Sequence, residues 1–177
     1  ENNMKFVDFE NQVCLVTGAG SPTGIGFHTA KILGGLGGKI AIVATTDRIY
    51  ERAEELKAEG IDAKGYIADL MEREQVKKLV AEVMEEFGQI DLLMNNAGVA
   101  TFGAVWAVPP IEYEWIIDTN LKSHIYFMHE VIPVMMKQGT HCNIVNTCSA
   151  AVTFTSKSAA AYQASRFGAL ALAESVL

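Results

Sequence analysis

Residues 12–26, QVCLVTGAGSPTGIG, decide the fold of this chain. A short apolar run at 12–17 breaks into a turn-forming stretch in which Gly18, Gly20, Gly24 and Gly26 surround Ser21-Pro22-Thr23. Residues 27–36 then carry apolar side chains at helical spacing (Phe27, Ala30, Leu33, Leu36), and Gly34-Gly35 with Gly37-Gly38 end that run. A second strand at 39–44 closes a βαβ unit. Glycines at a strand-to-helix turn permit a tight bend and close backbone approach, while the helix N-terminus presents free amides and a partial positive charge to a pyrophosphate. Glycines alone would say little. In this setting they point to dinucleotide binding, with Gly18, Gly20, Thr23, Gly24, Ile25 and Gly26 as candidate contacts.

Working outward, the alternation continues. Thr45-Thr46-Asp47 reads as the cap of a helix at 49–59 that Gly60 stops, and 63–67 is a third strand, followed by Asp69 and Leu70. Residues 72–87 place Val76, Leu79, Val80, Val83 and Phe87 on one helical face. A fourth strand at 90–94 runs into Asn95-Asn96-Ala97-Gly98. After a connection containing Pro109 and Pro110 come a long helix at 111–136, with a disturbance expected near Pro133, a fifth strand at 143–147 and a helix at 158–177. Strands that are nearly continuous apolar runs, alternating with helices, imply a parallel sheet covered on both faces. The expectation is an α/β, Rossmann-type doubly wound parallel sheet in a single domain spanning 1–177.

Composition narrows the function. With 177 residues, 50% of them hydrophobic, the chain can bury a sizeable core, and a net charge of −7 without basic runs argues against nucleic acid as a partner. Cys14, Cys142 and Cys148 lack ligand spacing and read as free thiols in a reducing, cytoplasmic setting. The polar, acidic start is unlike a signal peptide, and no apolar run reaches membrane-spanning length. His28, His124, His129 and His141 have no companions at metal-ligand spacing, so no metal site is expected. Cys148 reads as a small buried thiol, and Trp106 and Trp115 as packing around the long loop and helix.

The chemistry concentrates in 143–166, NIVNTCSAAVTFTSKSAAAYQASR, which places the Ser149 hydroxyl, the Tyr162 phenol and the Arg166 cation behind a strand. Tyr162 and Arg166 are four apart, so a helix puts both on one face, where a cation favours an ionised phenol. The plainer reading is an exposed Tyr and Arg on an ordinary helix.

Taken together, the loop at 17–26, Asp69, Asn95-Asn96-Ala97-Gly98, Asn120, Ser149 and Tyr162 resemble the short-chain dehydrogenase/reductase family in order and spacing, nearest to its 3-oxoacyl thioester reductases. The resemblance implies dinucleotide contacts from the glycine loop, Asp69, Leu70, Asn96, Ala97 and Gly98. It implies that Tyr162 donates or accepts the proton, Ser149 orients the substrate oxygen and Asn120 supports a water. It further implies a small carbonyl or alcohol substrate, and a homodimer or homotetramer formed through the helices around Asn120 and Tyr162. Two departures stand out. Thr17-Gly18 lies two residues farther from Gly24 and Gly26 than the family pattern, and Arg166 occupies the place of the family's Lys, which bonds the nicotinamide ribose. The longer loop also resembles the enoyl reductase branch, but Ala169 stands where that branch needs its Lys. Arg keeps the charge on a larger planar fork, so altered or reduced activity is implied. The alternative function is a dinucleotide-binding or interaction protein that does not turn over. Where the family sets its NAD-selecting carboxylate this chain has Ala44, followed by Thr45 and Thr46 with Arg48 close by; hydroxyls and a cation suit the 2′-phosphate of NADP(H), with NAD(H) possible. Family members continue past the Tyr162 helix through further strands and a substrate loop, so the expectation is a chain lacking those parts.

Overall fold

The computed structural model describes residues 8–176; the polar start at 1–7 and the expected helix end at Leu177 lie outside the described residues. Five parallel strands, β1 (Val13–Thr17), β2 (Lys39–Ala44), β3 (Ala63–Ile67), β4 (Leu92–Asn95) and β5 (Asn143–Asn146), form one sheet in the order β3-β2-β1-β4-β5. Strand order reverses between β1 and β4, which are paired through Val16 and Met94, so a crevice opens beyond their carboxyl ends.

The helices α1 (Ile25–Gly35), α2 (Arg48–Ala58), α3 (Arg73–Phe87), α4 (Pro110–Ile117), α5 (Ser123–Gln138) and α6 (Ala160–Glu174) complete the layers. Successive side chains of the buried central strands alternate between two cores. Cys14, Val16, Ile40, Ile42 and Met94 pack with Phe27, Leu33, Ile49 and Leu56 from α1 and α2. Val13, Leu15, Ala41, Val43 and Leu93 pack with Leu79, Val83, Phe127 and Val131 from α3 and α5. Both faces are thus sealed by apolar side chains, and the expected doubly wound sheet is what forms.

Several local expectations need correction. Only β1 and β4 are buried throughout, and β2 from Ile40 to Val43; β3 exposes Lys64 and Ile67, and β5 alternates exposed and half-buried residues, because both are edge strands of the described sheet. The expected long helix is not disturbed at Pro133, which stands exposed inside α5, where water can satisfy the carbonyl freed by the missing N–H. The disturbance falls instead at Asp118–Lys122, a π-helical turn between α4 and α5 in which the Ser123 amide donates to the Asp118 carbonyl. Asp47 precedes α2, but its side chain makes no capping hydrogen bond, since its backbone is already helical (φ −61°, ψ −17°). Trp106 is 88% exposed and Trp115 is also exposed, so neither packs inside. Cys148 is half-buried rather than buried.

Candidate active site

The glycine loop is built from β1 outward. Gly18 has φ +69°, a conformation that favours glycine, and a Cβ there would stand 2.7 Å from Cα of Ala97. A Cβ on Gly26 would lie 2.6 Å from Nδ2 of Asn96 and 2.8 Å from the Gly18 carbonyl, so loop, α1 and the end of β4 close on one another only without side chains. Thr17 locks this meeting: its Oγ1 accepts from the amides of Asn96 (2.9 Å) and Ala97 (3.0 Å) and donates to the Met94 carbonyl (3.3 Å). Asn96 answers with Nδ2 donated to the Thr17 carbonyl (3.0 Å) and receives the Thr147 hydroxyl on Oδ1 (3.3 Å). Asn96 and Ala97, expected as cofactor contacts, therefore spend these groups bracing the crevice.

What remains free fits an anionic dinucleotide. Gly24 caps α1 with no side-chain bond and the first turn holds no acidic residue, so the helix N-terminus is uncapped. Ile25 and Thr23 are exposed beside it, Gly20 is half-buried, and Thr23 pairs with the Ser21 hydroxyl (3.4 Å). Beyond β2, Thr45, Thr46 and Arg48 are exposed, with Arg48 Nε donating to Thr46 Oγ1 (3.4 Å). Asp69 is half-buried and folds a local turn, its Oδ1 accepting from the Met71 amide (3.0 Å) while its own amide donates to Gln75 Oε1 (2.9 Å). Leu70 points its side chain into the core with Val76 and Leu79, which leaves only its backbone for a ligand.

At the other side of the crevice, helix α6 brings Tyr162 and Arg166 together as the four-residue spacing requires. The guanidinium carbon lies 5.3 Å from the centre of the Tyr162 ring, within cation–π range. Arg166 is only 5% exposed, and its Nη1 donates to the Thr147 carbonyl at the end of β5 (2.8 Å). Ser149 follows β5 and starts a 3-10 turn (Ala150–Val152); its Oγ accepts from the Ala151 amide (3.1 Å), leaving the hydroxyl hydrogen available as a donor. Asn120, fully buried in the π turn, uses Oδ1 for the Val99 amide (2.8 Å) and Nδ2 for the Val99 carbonyl (2.9 Å) and Ser165 Oγ (3.0 Å). Ser165 in turn donates to the Tyr162 carbonyl (2.7 Å). Asn120 thus ties the loop after β4 to the turn that carries Tyr162. Both its amide hydrogens are committed, so a bound water would have to use the one remaining lone pair of its side-chain oxygen.

Three residues had escaped the sequence reading. Phe102, exposed, sets its ring 6.1 Å from that of Tyr162 on a tilted plane, so the phenol ring has both an aromatic and a cation for neighbours. Gln163 is buried and holds the Ser149 turn to α6: its Oε1 accepts from the Ser156 amide (2.8 Å) and its Nε2 donates to the Ala151 carbonyl (3.1 Å). His124, one turn beyond Asn120, is buried; its pKa is pushed down to about 4, first by burial and then by the Arg166 charge, against a raising effect of the Ala97 backbone. A Gln next to a candidate Tyr was a readable signal; the other two depend on tertiary contact. Among the described residues no group of three His, Cys, Asp or Glu is placed to hold a metal ion. The apolar groove of about 590 Å³ beside β5, lined by Ile132, Met135, Cys142 and Ile144, is lined by none of these residues.

The crevice thus has an uncapped helix N-terminus on one side and the Tyr162–Arg166 pair on the other. Residues 12–177 match the family model for short chain dehydrogenase. The chain is 34% identical over 168 residues to a CLA biosynthesis dehydrogenase/reductase of Lactiplantibacillus plantarum (94% of this chain, 58% of the relative). It is 36% identical over 169 residues to a C alpha-dehydrogenase of Sphingobium sp. (94% and 55%). Solved structures superpose closely. The apo form of LigD from Sphingobium sp. strain SYK-6 gives a TM-score of 0.92 at 34% identity, covering 96% of this chain and 72% of that one. A metagenomic short-chain oxidoreductase in complex with NADP gives 0.87 at 30% identity (95% and 76%). A short-chain dehydrogenase/reductase from Burkholderia phymatum in complex with NAD gives 0.89 at 29% (96% and 60%). The chain belongs to the short-chain dehydrogenase/reductase family, whose members are NAD(P)-dependent oxidoreductases. It spans 58% and 55% of the length of the first two relatives.

Proposed function

We propose that this chain is an NADP(H)-preferring oxidoreductase that interconverts a carbonyl and a secondary alcohol by hydride transfer. The observation that carries the reading is the Arg166 guanidinium set 5.3 Å from the Tyr162 ring across the crevice from an uncapped helix N-terminus. When bound, the dinucleotide supplies or accepts the hydride. Its pyrophosphate would be held by the amides at Ile25 and Gly26, and its adenine ribose by Asp69 and the Thr45, Thr46 and Arg48 group. Thr46 and Arg48 offer a hydroxyl and a cation, the pair that recognises a 2′-phosphate, which supports NADP(H) over NAD(H).

Ser149 donates its free hydroxyl hydrogen to the substrate oxygen. Tyr162 passes its proton to that oxygen in reduction and takes it back in oxidation. Arg166 stabilises the negative charge that develops on the phenol, and Asn120 braces the turn that carries Tyr162. Exposed Ile111, Trp115, Ile125 and Phe167 on α4, α5 and α6 support a homodimer or homotetramer as the working form. The three free cysteines support a reducing, cytoplasmic setting.

One observation favours a second reading, a dinucleotide-binding protein with little turnover. Arg166 is buried and bonded to the Thr147 carbonyl, so its fork is engaged within the protein rather than offered to a ribose. Fluorescence titration with NADPH and NADH, followed by a panel of ketones and 3-oxoacyl thioesters, separates the two. Substrate-dependent oxidation of NADPH lost in Tyr162→Phe supports the enzyme; tight binding without oxidation supports the second reading; no binding of either dinucleotide overturns both.

A further inference from the structure

Phe102 is an aromatic side chain that folding fixes without burying. It is 67% exposed, yet the loop that carries it is pinned at every second residue. Val99 is held through both its amide and its carbonyl by Asn120, and the Thr101 hydroxyl donates to Glu112 Oε2 (2.6 Å). The Gly103 amide donates to the Ser158 carbonyl (2.7 Å), and Gly103 pairs with Ala159 in an isolated parallel bridge just before α6. The anchors reach α4, the π turn and the segment leading to Tyr162, so the ring is carried by the same frame as the phenol. Resting on the acid–base reading above, we propose that Phe102 selects the substrate by receiving an aromatic ring borne on or next to the reacting carbon, so that the chain acts on aryl ketones and the matching secondary alcohols.

Placement is the first support. Tyr162 exchanges its proton with the substrate oxygen, which sets the reacting carbon within two bonds of that contact. A ring centred 6.1 Å from the phenol ring, on a plane tilted by 48°, stands beside the groups attached to that carbon. Exposure is the second support. Contact with Tyr162 leaves most of the Phe102 surface open, and a ring needed only to pack the loop would turn inward. The open surface is also preorganised: the three anchors remove the loop freedom that a ligand would otherwise have to freeze.

The chemistry of the contact selects among apolar groups. Aromatic rings prefer offset or edge-to-face neighbours with centres 4.5–7 Å apart, a geometry that the Phe102–Tyr162 pair already adopts. A substrate ring completes it through its own charge distribution, whereas a saturated ring of the same size offers area alone. The turn after Ser149 adds another exposed ring, Phe154, whose carbonyl accepts from Gln163 Nε2 (2.5 Å). Each of the two loops laced together by Gly103 and Ser158 thus carries an exposed aromatic side chain.

The test compares acetophenone with cyclohexyl methyl ketone, which differ only in ring saturation, as substrates of the full chain with NADPH. Intrinsic reactivity cancels when each variant is compared with the unmodified chain. Phe102→Leu, which keeps apolar bulk, should lower kcat/KM for acetophenone roughly three- to tenfold and for the saturated ketone by less than about twofold. Phe102→Tyr, which keeps the ring, should recover most of the loss. The NADPH dissociation constant and the thermal midpoint should stay nearly unchanged, because the side chain is exposed. Equal losses with both ketones, a Phe102→Tyr no better than Phe102→Leu, or the same loss of selectivity from Trp106→Ala on this loop overturn the proposal. Reduction of 3-oxoacyl thioesters without acetophenone overturns it too, while the acid–base reading stands. If no carbonyl compound is reduced, the acid–base reading falls by itself and ligand-observed NMR decides. Acetophenone must then bind the unmodified chain severalfold more tightly than Phe102→Leu, with the saturated ketone indifferent to the change; any other result overturns the ring contact.

Discussion

The two sides of the crevice are made differently. On the side of β1, β2 and α1, the site is backbone: positive-φ Gly18, closely packed Gly26 and the bare start of α1, held by a single hydroxyl, Thr17, that joins two strands. On the side of β5 and α6 it is side chains: Arg166 buried beside Tyr162, Asn120 drawn inward by a π turn, and Gln163 clamping the turn after Ser149. A backbone site tolerates little change in shape but much in chemistry, and a side-chain site the reverse. In the function proposed above, the first side would be the dinucleotide platform and the second would decide what happens on it.

The largest effect that separates them is expected from Tyr162→Phe. It should lower turnover by about 10² to 10⁴-fold while leaving the NADPH dissociation constant within a few-fold, as steady-state rates and a fluorescence titration would read. Retained turnover would dissolve the distinction.

The second test uses pH. His124 has a folded-state pKa of about 4 against 6.5 ordinarily, so between these values the unfolded chain binds the proton that the folded one refuses. Stability is therefore complete above about pH 6.5 and falls as pH drops towards 4, by about 3 kcal/mol if His124 acts alone. Denaturant titrations at a series of pH values should show that loss, and His124→Leu should flatten it.

On the backbone side, Thr17→Val removes the acceptor of two amides and should cost about 1–3 kcal/mol in equilibrium unfolding, together with dinucleotide affinity. Smallest should be Arg48→Ala. Losing one exposed cation should shift the NADPH-to-NADH affinity ratio by about tenfold toward NADH, with NADH-dependent turnover unaltered. An unchanged ratio would assign the 2′-phosphate contact elsewhere.

The contrast also explains what the amino-acid order revealed. Glycine spacing, apolar runs and helical periodicity are local, and they disclosed the sheet and the loop at 17–26. Local signals placed Tyr162 and Arg166 on one face as well. They could not disclose that Asn96 braces the loop or that Arg166 lies against Gly98, since each depends on a partner tens of residues away, nor that Leu70 turns into the core, which the packing of the whole sheet face decides. Pro133 misled for a related reason. Proline costs a helix both a hydrogen bond and a clash with the carbonyl four residues back. Here Pro133 faces outward, where water reaches the freed carbonyl and α5 runs on through it, while the real irregularity belongs to Asn120, whose bonds to Val99 and Ser165 are invisible in its neighbourhood.

That irregularity has a hereditary side. A π turn holds about one residue more than the α turn it replaces, and it confines the surplus to a single turn. The stretch Asp118–Lys122 can thus be understood as one codon too many, absorbed without re-aiming α4 or α5. Removing a codon there should yield a straighter, still folded helix that no longer grips Val99, a heritable step from a working site to a quiet scaffold that leaves Tyr162 and Arg166 in place.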